Sequence, residues 1–211
     1  DPLTGSGEHD PAQLDLTIGE EVTFEMVITL PEIPMDEVTL VDTLPAGLDY
    51  VSASIDTVGG EVAFAANTIS ESGGTVTYTF TDVTNTSNGV IDAADQITVL
   101  LTARVTDAAA NVDAAELTNS ATLTVTPQGE PALTPQTATA DVDIVEPELT
   151  VEKTGDVGVA PGETTTYTAT ITNVGTAPAY DAFVQDTLSS PSLSLVSGSV
   201  SAELDGVDVT G

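Results

Sequence analysis

Val22-Thr23-Phe24-Glu25-Met26-Val27-Ile28-Thr29-Leu30 alternates strictly, with Val22, Phe24, Met26, Ile28 and Leu30 on one face and Thr23, Glu25, Val27 and Thr29 on the other. A period of two is the period of an extended strand, so this stretch reads as a strand with one buried face. Similar runs are Val38–Val41, Thr75–Thr81 (TVTYTFT), Gln96–Val105 (QITVLLTARV), Ser120–Val125 (SATLTV) and Thr137–Ile144 (TATADVDI). Turn-rich spacers separate them, among them Gly59-Gly60, Ser72-Gly73-Gly74 and Asn88-Gly89. These residues favour turns because glycine and asparagine tolerate the backbone angles that turns demand. No segment carries a 3.6-residue apolar stripe; Ala108–Glu116 (AAANVDAAE) is expected to form one short helical turn at most. The pattern is all-β.

Composition agrees with the pattern. Hydrophobic residues make up 40% of the chain but aromatics only 4%, so Thr, Val, Ala and Leu carry the apolar load. β-Branched residues pack well on a pleated surface and lose rotamer freedom in helices. The 211 residues are enough for one ordinary domain and part of a second. With no cysteine, disulfide frameworks and Cys-based zinc or redox sites are excluded. The sequence shows no signal peptide, apolar transmembrane run or lipidation motif and opens at Asp1 without an initiator Met, so it reads as an excerpt of a longer mature protein.

Charge narrows the partners. Two basic residues stand against 34 acidic ones, a formal net charge of -32. Such a surface repels phosphate backbones and anionic headgroups, which argues against nucleic acid and against direct membrane binding. The charged fraction is only 17% and the apolar residues are periodic, so the chain reads as folded domains with an acidic skin rather than as a disordered polyanion. So few cations cannot neutralise the surface internally. Screening salt or bound cations must do so, which suits a saline or calcium-containing exterior.

An internal repeat sets the domain map. Ile18-Gly19-Glu20-Glu21-Val22-Thr23-Phe24 returns as Pro161-Gly162-Glu163-Thr164-Thr165-Thr166-Tyr167, with Gly162 lying 143 residues after Gly19. Asp42-Thr43-Leu44, then Tyr50-Val51-Ser52, returns as Asp186-Thr187-Leu188, then Leu195-Val196-Ser197; here Asp186 lies 144 residues after Asp42. A period this long is that of a whole domain, not of a solenoid unit of roughly 20 to 50 residues. The expected division is a complete sandwich over 1–146, with an atypical first strand, and the N-terminal half of a second over 147–211. The joint is expected at Val145-Glu146-Pro147-Glu148, where Pro147 stiffens the chain and pushes Glu146 toward an extended conformation.

Three further stretches carry a resemblance: Val151-Glu152-Lys153-Thr154-Gly155; Pro161-Gly162-Glu163 with Tyr167; and Ile171-Thr172-Asn173-Val174-Gly175-Thr176-Ala177-Pro178-Ala179, followed by Asp186-Thr187-Leu188. In the first copy the matching pieces are Asp42-Thr43-Leu44-Pro45-Ala46-Gly47-Leu48 with Tyr50-Val51-Ser52, and Leu117-Thr118-Asn119-Ser120-Ala121-Thr122. In this order they resemble the repeat family known as domain of unknown function eleven. The resemblance implies tandem immunoglobulin-like antiparallel β-sandwiches, the second incomplete, strung along bacterial and archaeal surface proteins, adhesins and filaments. The first copy departs from the pattern at its start, where Asp10, within Gly7-Glu8-His9-Asp10, stands in place of the lysine at Lys153.

Some surface proteins of this fold crosslink a first-strand lysine to a last-strand asparagine beside an assisting carboxylic acid. The amine attacks the amide carbon and ammonia leaves, which requires a buried, deprotonated lysine. By resemblance the candidates are Lys153 for the amine, Asn119 for the amide and Asp42 or Asp186 for the acid. Lys153 and Asn119 belong to different copies, so no bond within one domain is expected between them. The alternative is a surface cation beside Glu152 and a strand-edge asparagine.

Ordinary catalysis has little to work with. One histidine, His9, lies in a polar N-terminal segment without companions, and no Gly-rich phosphate loop is present. Four Tyr, four Phe and no Trp leave no aromatic platform for paired acids acting on sugars. No enzyme is expected. Hard cations remain possible ligands, because calcium takes oxygen donors. Asp141, Asp143, Glu146 and Glu148 straddle the joint, with Asp141 and Asp143 on one face of a strand, so they form a candidate calcium site. A solvated acidic linker is the competing reading. Asn85-Thr86-Ser87 is a glycosylation sequon in a turn-rich stretch.

The expected function is that of an extracellular structural module, a stalk, spacer or filament-building segment of a large microbial surface protein. Its partners would be neighbouring repeats or other copies of the chain. A filament subunit completed by donor-strand exchange and a ligand-binding adhesin domain are the alternatives.

Overall fold

The computed structural model describes residues 14–156, 158–179, 182–204 and 206–208. One sandwich holds β1 (Leu14–Leu16), β2 (Glu21–Thr29), β3 (Met35–Thr43), β4 (Leu48–Val58), β5 (Val62–Ala63), β6 (Ala66–Ser72), β7 (Thr75–Asn85), β8 (Gln96–Val105), β9 (Ala115–Pro127) and β10 (Gln136–Ile144), and the periodic runs supply β2, β3, β7, β8, β9 and β10. Two hairpins follow, β11 (Leu149–Gly155) with β12 (Tyr167–Asn173) and β13 (Glu203–Leu204) with β14 (Val207–Asp208). By internal contacts the chain divides into residues 1–179, which hold the sandwich and β11–β12, and residues 180–211, which hold β13–β14.

One sheet runs β1-β10-β9-β3-β7, with β5 and β6 both paired to β7, and the other runs β2-β8-β4. All pairings are antiparallel apart from β1, which lies parallel to β10 with Leu14 opposite Val142. The alternation in β2 decides which face turns inward. Val22, Phe24 and Ile28 are buried, and they meet Ile97, Val99, Leu101, Ala103 and Val105 of β8 in the same core. From the facing sheet come Val38 and Leu40 of β3 and Val76, Tyr78 and Phe80 of β7. Each fully buried Val, Leu or Phe contributes roughly 1.5–3 kcal/mol, so this largely aliphatic core suffices with three aromatic anchors, Phe24, Tyr78 and Phe80. The Tyr78 hydroxyl crosses the core and donates to Leu100 O at 2.7 Å. The fold is an all-β, immunoglobulin-like sandwich.

The two Gly-Glu stretches make similar turns. Gly19 and Gly162 both take the left-handed conformation, at φ 91° and 89°. Each is followed by a glutamate whose N–H donates three residues back at 3.1 Å, Glu20 to Thr17 O and Glu163 to Ala160 O. The strands that follow these turns pair differently, β2 with β8 and β12 with β11. The short helical turn expected at Ala108–Glu116 does not form. Asn111 Nδ2 donates to Gly47 O at 2.9 Å and to Thr106 O at 3.0 Å, and this holds the segment in a looped turn. The helical element is instead a 3-10 turn at Ala93–Asp95, just before β8.

Candidate functional site

The joint after the sandwich is built on Asp113. Ala114, at φ 62°, turns the chain into β9 and leaves Asp113 beside the end of β10, where Ala114 N–H donates to Ile144 O at 2.8 Å. Asp113 Oδ1 accepts from the Glu146 N–H at 3.0 Å, from the Thr176 N–H at 3.3 Å and from the Thr176 hydroxyl. Charge-assisted bonds of this kind are roughly twice as strong as neutral ones. The two backbones are laced together as well. Thr176 and Ala177 N–H donate to Glu146 O at 3.0 and 3.2 Å, and Val174 N–H donates to Glu148 O at 2.7 Å. Asn173 closes the turn, its Oδ1 accepting from Glu148 and Gly175 N–H and its Nδ2 donating to Ala177 O. Gly175 is required here because a Cβ would lie 2.2 Å from Glu146 O.

This joint uses Glu146 and Glu148 through their backbone. Of the carboxylates expected to share calcium there, Asp141 is exposed on β10, Asp143 is buried opposite Asp15 and Glu116, Glu146 is half-buried and Glu148 is exposed. Among the described residues, the group of three carboxylates whose oxygens come within 4.8 Å of one another is a different one: Glu32, Glu61 and Asp95. Local structure brings these three together. Asp92 caps the 3-10 turn, and its N–H donates back to Asp95 Oδ2 at 2.8 Å, so Asp95 is fixed and fully buried. Gly59 lets its segment approach the turn, where a Cβ would meet Ala94 O at 2.2 Å, and Glu61 N–H donates to that same carbonyl.

Asn85 does not stand in an exposed loop, as its sequon suggests. It is the last residue of β7 and buried, and its Nδ2 donates to Leu30 O at 3.1 Å, Pro31 O at 3.3 Å and Asp95 Oδ1 at 2.8 Å. A nitrogen so committed is not available to a glycan in the folded chain.

Asp42 on β3 and Asn119 on β9 do meet. Asn119 Nδ2 donates to Asp42 Oδ2 at 2.8 Å with both residues buried, and Asp42 Oδ1 and Asn119 Oδ1 are buried without hydrogen-bond donors. Burial pushes the Asp42 carboxyl up from 3.8 to about 6, although the Asn119 bond pulls it down. Lys153 lies on β11, its Nζ 5.0 Å from the centre of the Tyr167 ring. Asp186 is exposed. His9 and Asp10 lie outside the described residues.

Sequence reasoning missed Asp113 and the Glu32–Glu61–Asp95 group for the same reason. Asp113 meets a partner 63 positions away, and the trio comes from three separate turns, so no spacing rule connects them.

No family profile matches the chain, and no curated protein sequence does. Solved structures with similar folds include the major pilin subunit BcpA of Bacillus cereus, at 13% identity and a TM-score of 0.47 over 79% of this chain and 53% of that one. The 35 kDa C-terminal fragment of the major pilin GBS80 of Streptococcus agalactiae has 15% identity and a TM-score of 0.46 over 66% and 55%. A non-cellulosomal cohesin of Archaeoglobus fulgidus has 10% identity and a TM-score of 0.45 over 64% and 88%. The chain thus spans about half the length of the two pilin chains it matches.

Proposed function

We propose that the chain is an extracellular, non-catalytic structural segment of a microbial surface protein, in which β-sandwich repeats are held in line by hydrogen-bonded joints. The Asp113 joint carries this reading. A flexible linker leaves its backbone to water, whereas here six N–H groups, of Glu146, Glu148, Val174, Gly175, Thr176 and Ala177, are bonded within the joint, and Gly175 packs against the backbone of Glu146–Glu148. Such a joint resists bending and transmits load along the chain.

The absence of cysteine makes the test clean. Spin labels on Ser54→Cys and Thr168→Cys, in β4 and β12, report the distance across the joint. A narrow distribution is expected, and it should broaden when Asp113→Ala removes the shared acceptor. An equally broad distribution in the parent chain would refute the spacer reading.

One observation favours a second reading, completion by strand exchange with another copy. Every residue of β11 and β12 is exposed, and β12 pairs with β11 where its sequence counterpart β2 pairs with β8. An open edge of this kind accepts a further strand. Sedimentation at increasing concentration separates the two readings, since exchange gives growing assemblies and a spacer stays monomeric.

A further inference from the structure

The geometry points to a divalent-cation site of calcium type held by Glu32, Glu61, Asp95 and the amide oxygen of Asn85. The site stands at the opposite end of β8 from the Asp113 joint: Asp95 immediately precedes that strand, and the loop bearing Asp113 follows it.

The hydrogen bonds around the cluster leave a particular deficit. Glu32 is held by the loop after β7, accepting from Asn88 N–H at 2.7 Å, Gly89 N–H at 2.8 Å and the Ser87 hydroxyl at 3.3 Å. Glu61 Oε1 accepts from Asn88 Nδ2 at 2.6 Å. Asp95 accepts from Asp92 N–H and Asn85 Nδ2, both at 2.8 Å. Two oxygens remain buried with no donor, Glu61 Oε2 and Asn85 Oδ1. Asn85 is itself only 5% exposed, and its carboxamide lies directly against Asp95. That orphaned oxygen belongs to a neutral amide and not to any of the three carboxylates. The two hydrogens of Nδ2, one on Asp95 Oδ1 and one shared by the Leu30 and Pro31 carbonyls, lock the amide, so its oxygen cannot turn away to find a donor.

A buried oxygen without a donor is costly, and most so when it belongs to a carboxylate. A water could donate to both orphans but would leave three carboxylates crowded within 4.8 Å. Neither basic side chain of the chain relieves the repulsion: Arg104 pairs with Glu21, and Lys153 lies over Tyr167. A cation needs lone pairs rather than protons and answers both deficits together. The donor set is all oxygen, which selects hard ions. Its irregular arrangement of three carboxylates and one amide suits calcium, which accepts six to eight oxygens in flexible geometry, over magnesium, which demands a near-ideal octahedron. Bound there, the ion would tie together the segment after β2, the one before β5, the end of β7 and the turn before β8.

The test uses the full chain, stripped with a chelator and titrated with calcium at constant, saline ionic strength so that screening does not change. One ion per chain is expected, with the melting temperature raised by about 5–10 °C at a hundredfold excess over Kd. Magnesium should bind more weakly. Glu61→Gln should weaken calcium binding about tenfold or more, and Glu32→Gln serves the same purpose should the first variant not fold. Asp141→Asn with Glu148→Gln should leave the affinity unchanged. A parent chain that shows neither heat nor a shift in melting temperature overturns the site. So does parent-like affinity in the Glu61 and Glu32 variants, which would locate the ion elsewhere.

Discussion

Asp42 and Asn119 share one hydrogen bond and keep two buried oxygens without donors, Asp42 Oδ1 and Asn119 Oδ1. A proton on Asp42 would satisfy both residues at once, because a carboxylic acid can donate to the amide oxygen while accepting from the amide nitrogen. Burial raises the Asp42 pKa from 3.8 to about 6. Between those values the folded chain holds a proton that the unfolded chain releases, so the Asp42 contribution is full below about pH 4 and is lost as pH rises through 6. General repulsion among 34 acidic residues acts in the same direction, so only a comparison isolates the site. Asp42→Asn presents a permanently neutral amide to Asn119. In urea titrations it should be more stable than the parent at pH 7, by on the order of 2 kcal/mol, and the gap should close by pH 4. A gap that does not depend on pH would show that Asp42 is not titrating in this window.

At the scale of the element, legibility followed burial. β2, β7 and β8 stood out because one face of each is core; the bounds of β2 and β8 nearly coincide with the alternating runs, while β7 runs on past Thr81 to Asn85. β4 (LDYVSASIDTV) and β6 (ANTISES) were not legible. Both lie at sheet edges with most side chains exposed, so water rather than core chooses their residues and no alternation results. The 3-10 turn was hidden for a different reason: three residues are too few for a period, and only its Asp92–Asp95 capping box marks it. Of the site residues, Asp42 and Asn119 were found by motif, whereas Asp113, Glu32 and Glu61 depend on how loops meet. Tyr78 shows what an element-level contact is worth. Its hydroxyl joins β7 of one sheet to the Leu100 carbonyl of the other, and burial together with the nearby Asp42 and Tyr50 raises its pKa well above the ordinary tyrosine value. Tyr78→Phe keeps the ring and deletes the bond. It should cost about 1 kcal/mol in chemical denaturation, with the cooperative transition retained. No loss would mean that the carbonyl finds water and the hydroxyl is not a cross-sheet tie.

At the scale of the molecule, the net charge of -32 dominates. The described residues contain an ion pair between Arg104 and Glu21, but both side chains are about half exposed, and pairs of that kind contribute little. Two basic residues cannot offset 34 acidic ones, so the folded state crowds like charges that unfolding would separate. Salt should therefore stabilise this chain. The screening length falls from about 10 Å at 0.1 M to about 3 Å at 1 M, so repulsion between surface carboxylates is largely removed across that range. The melting temperature should rise steadily with sodium chloride, and potassium chloride should act alike, because screening does not distinguish the two ions. Calcium at matched ionic strength should add a separate, saturable increment through Glu32, Glu61 and Asp95, and in Glu61→Gln that increment should need about tenfold more calcium or greater, while the salt response persists. A melting temperature that stays flat or falls with salt would mean that the acidic surface is not under strain in the folded state, and would remove the physical reason for placing this module in a saline exterior.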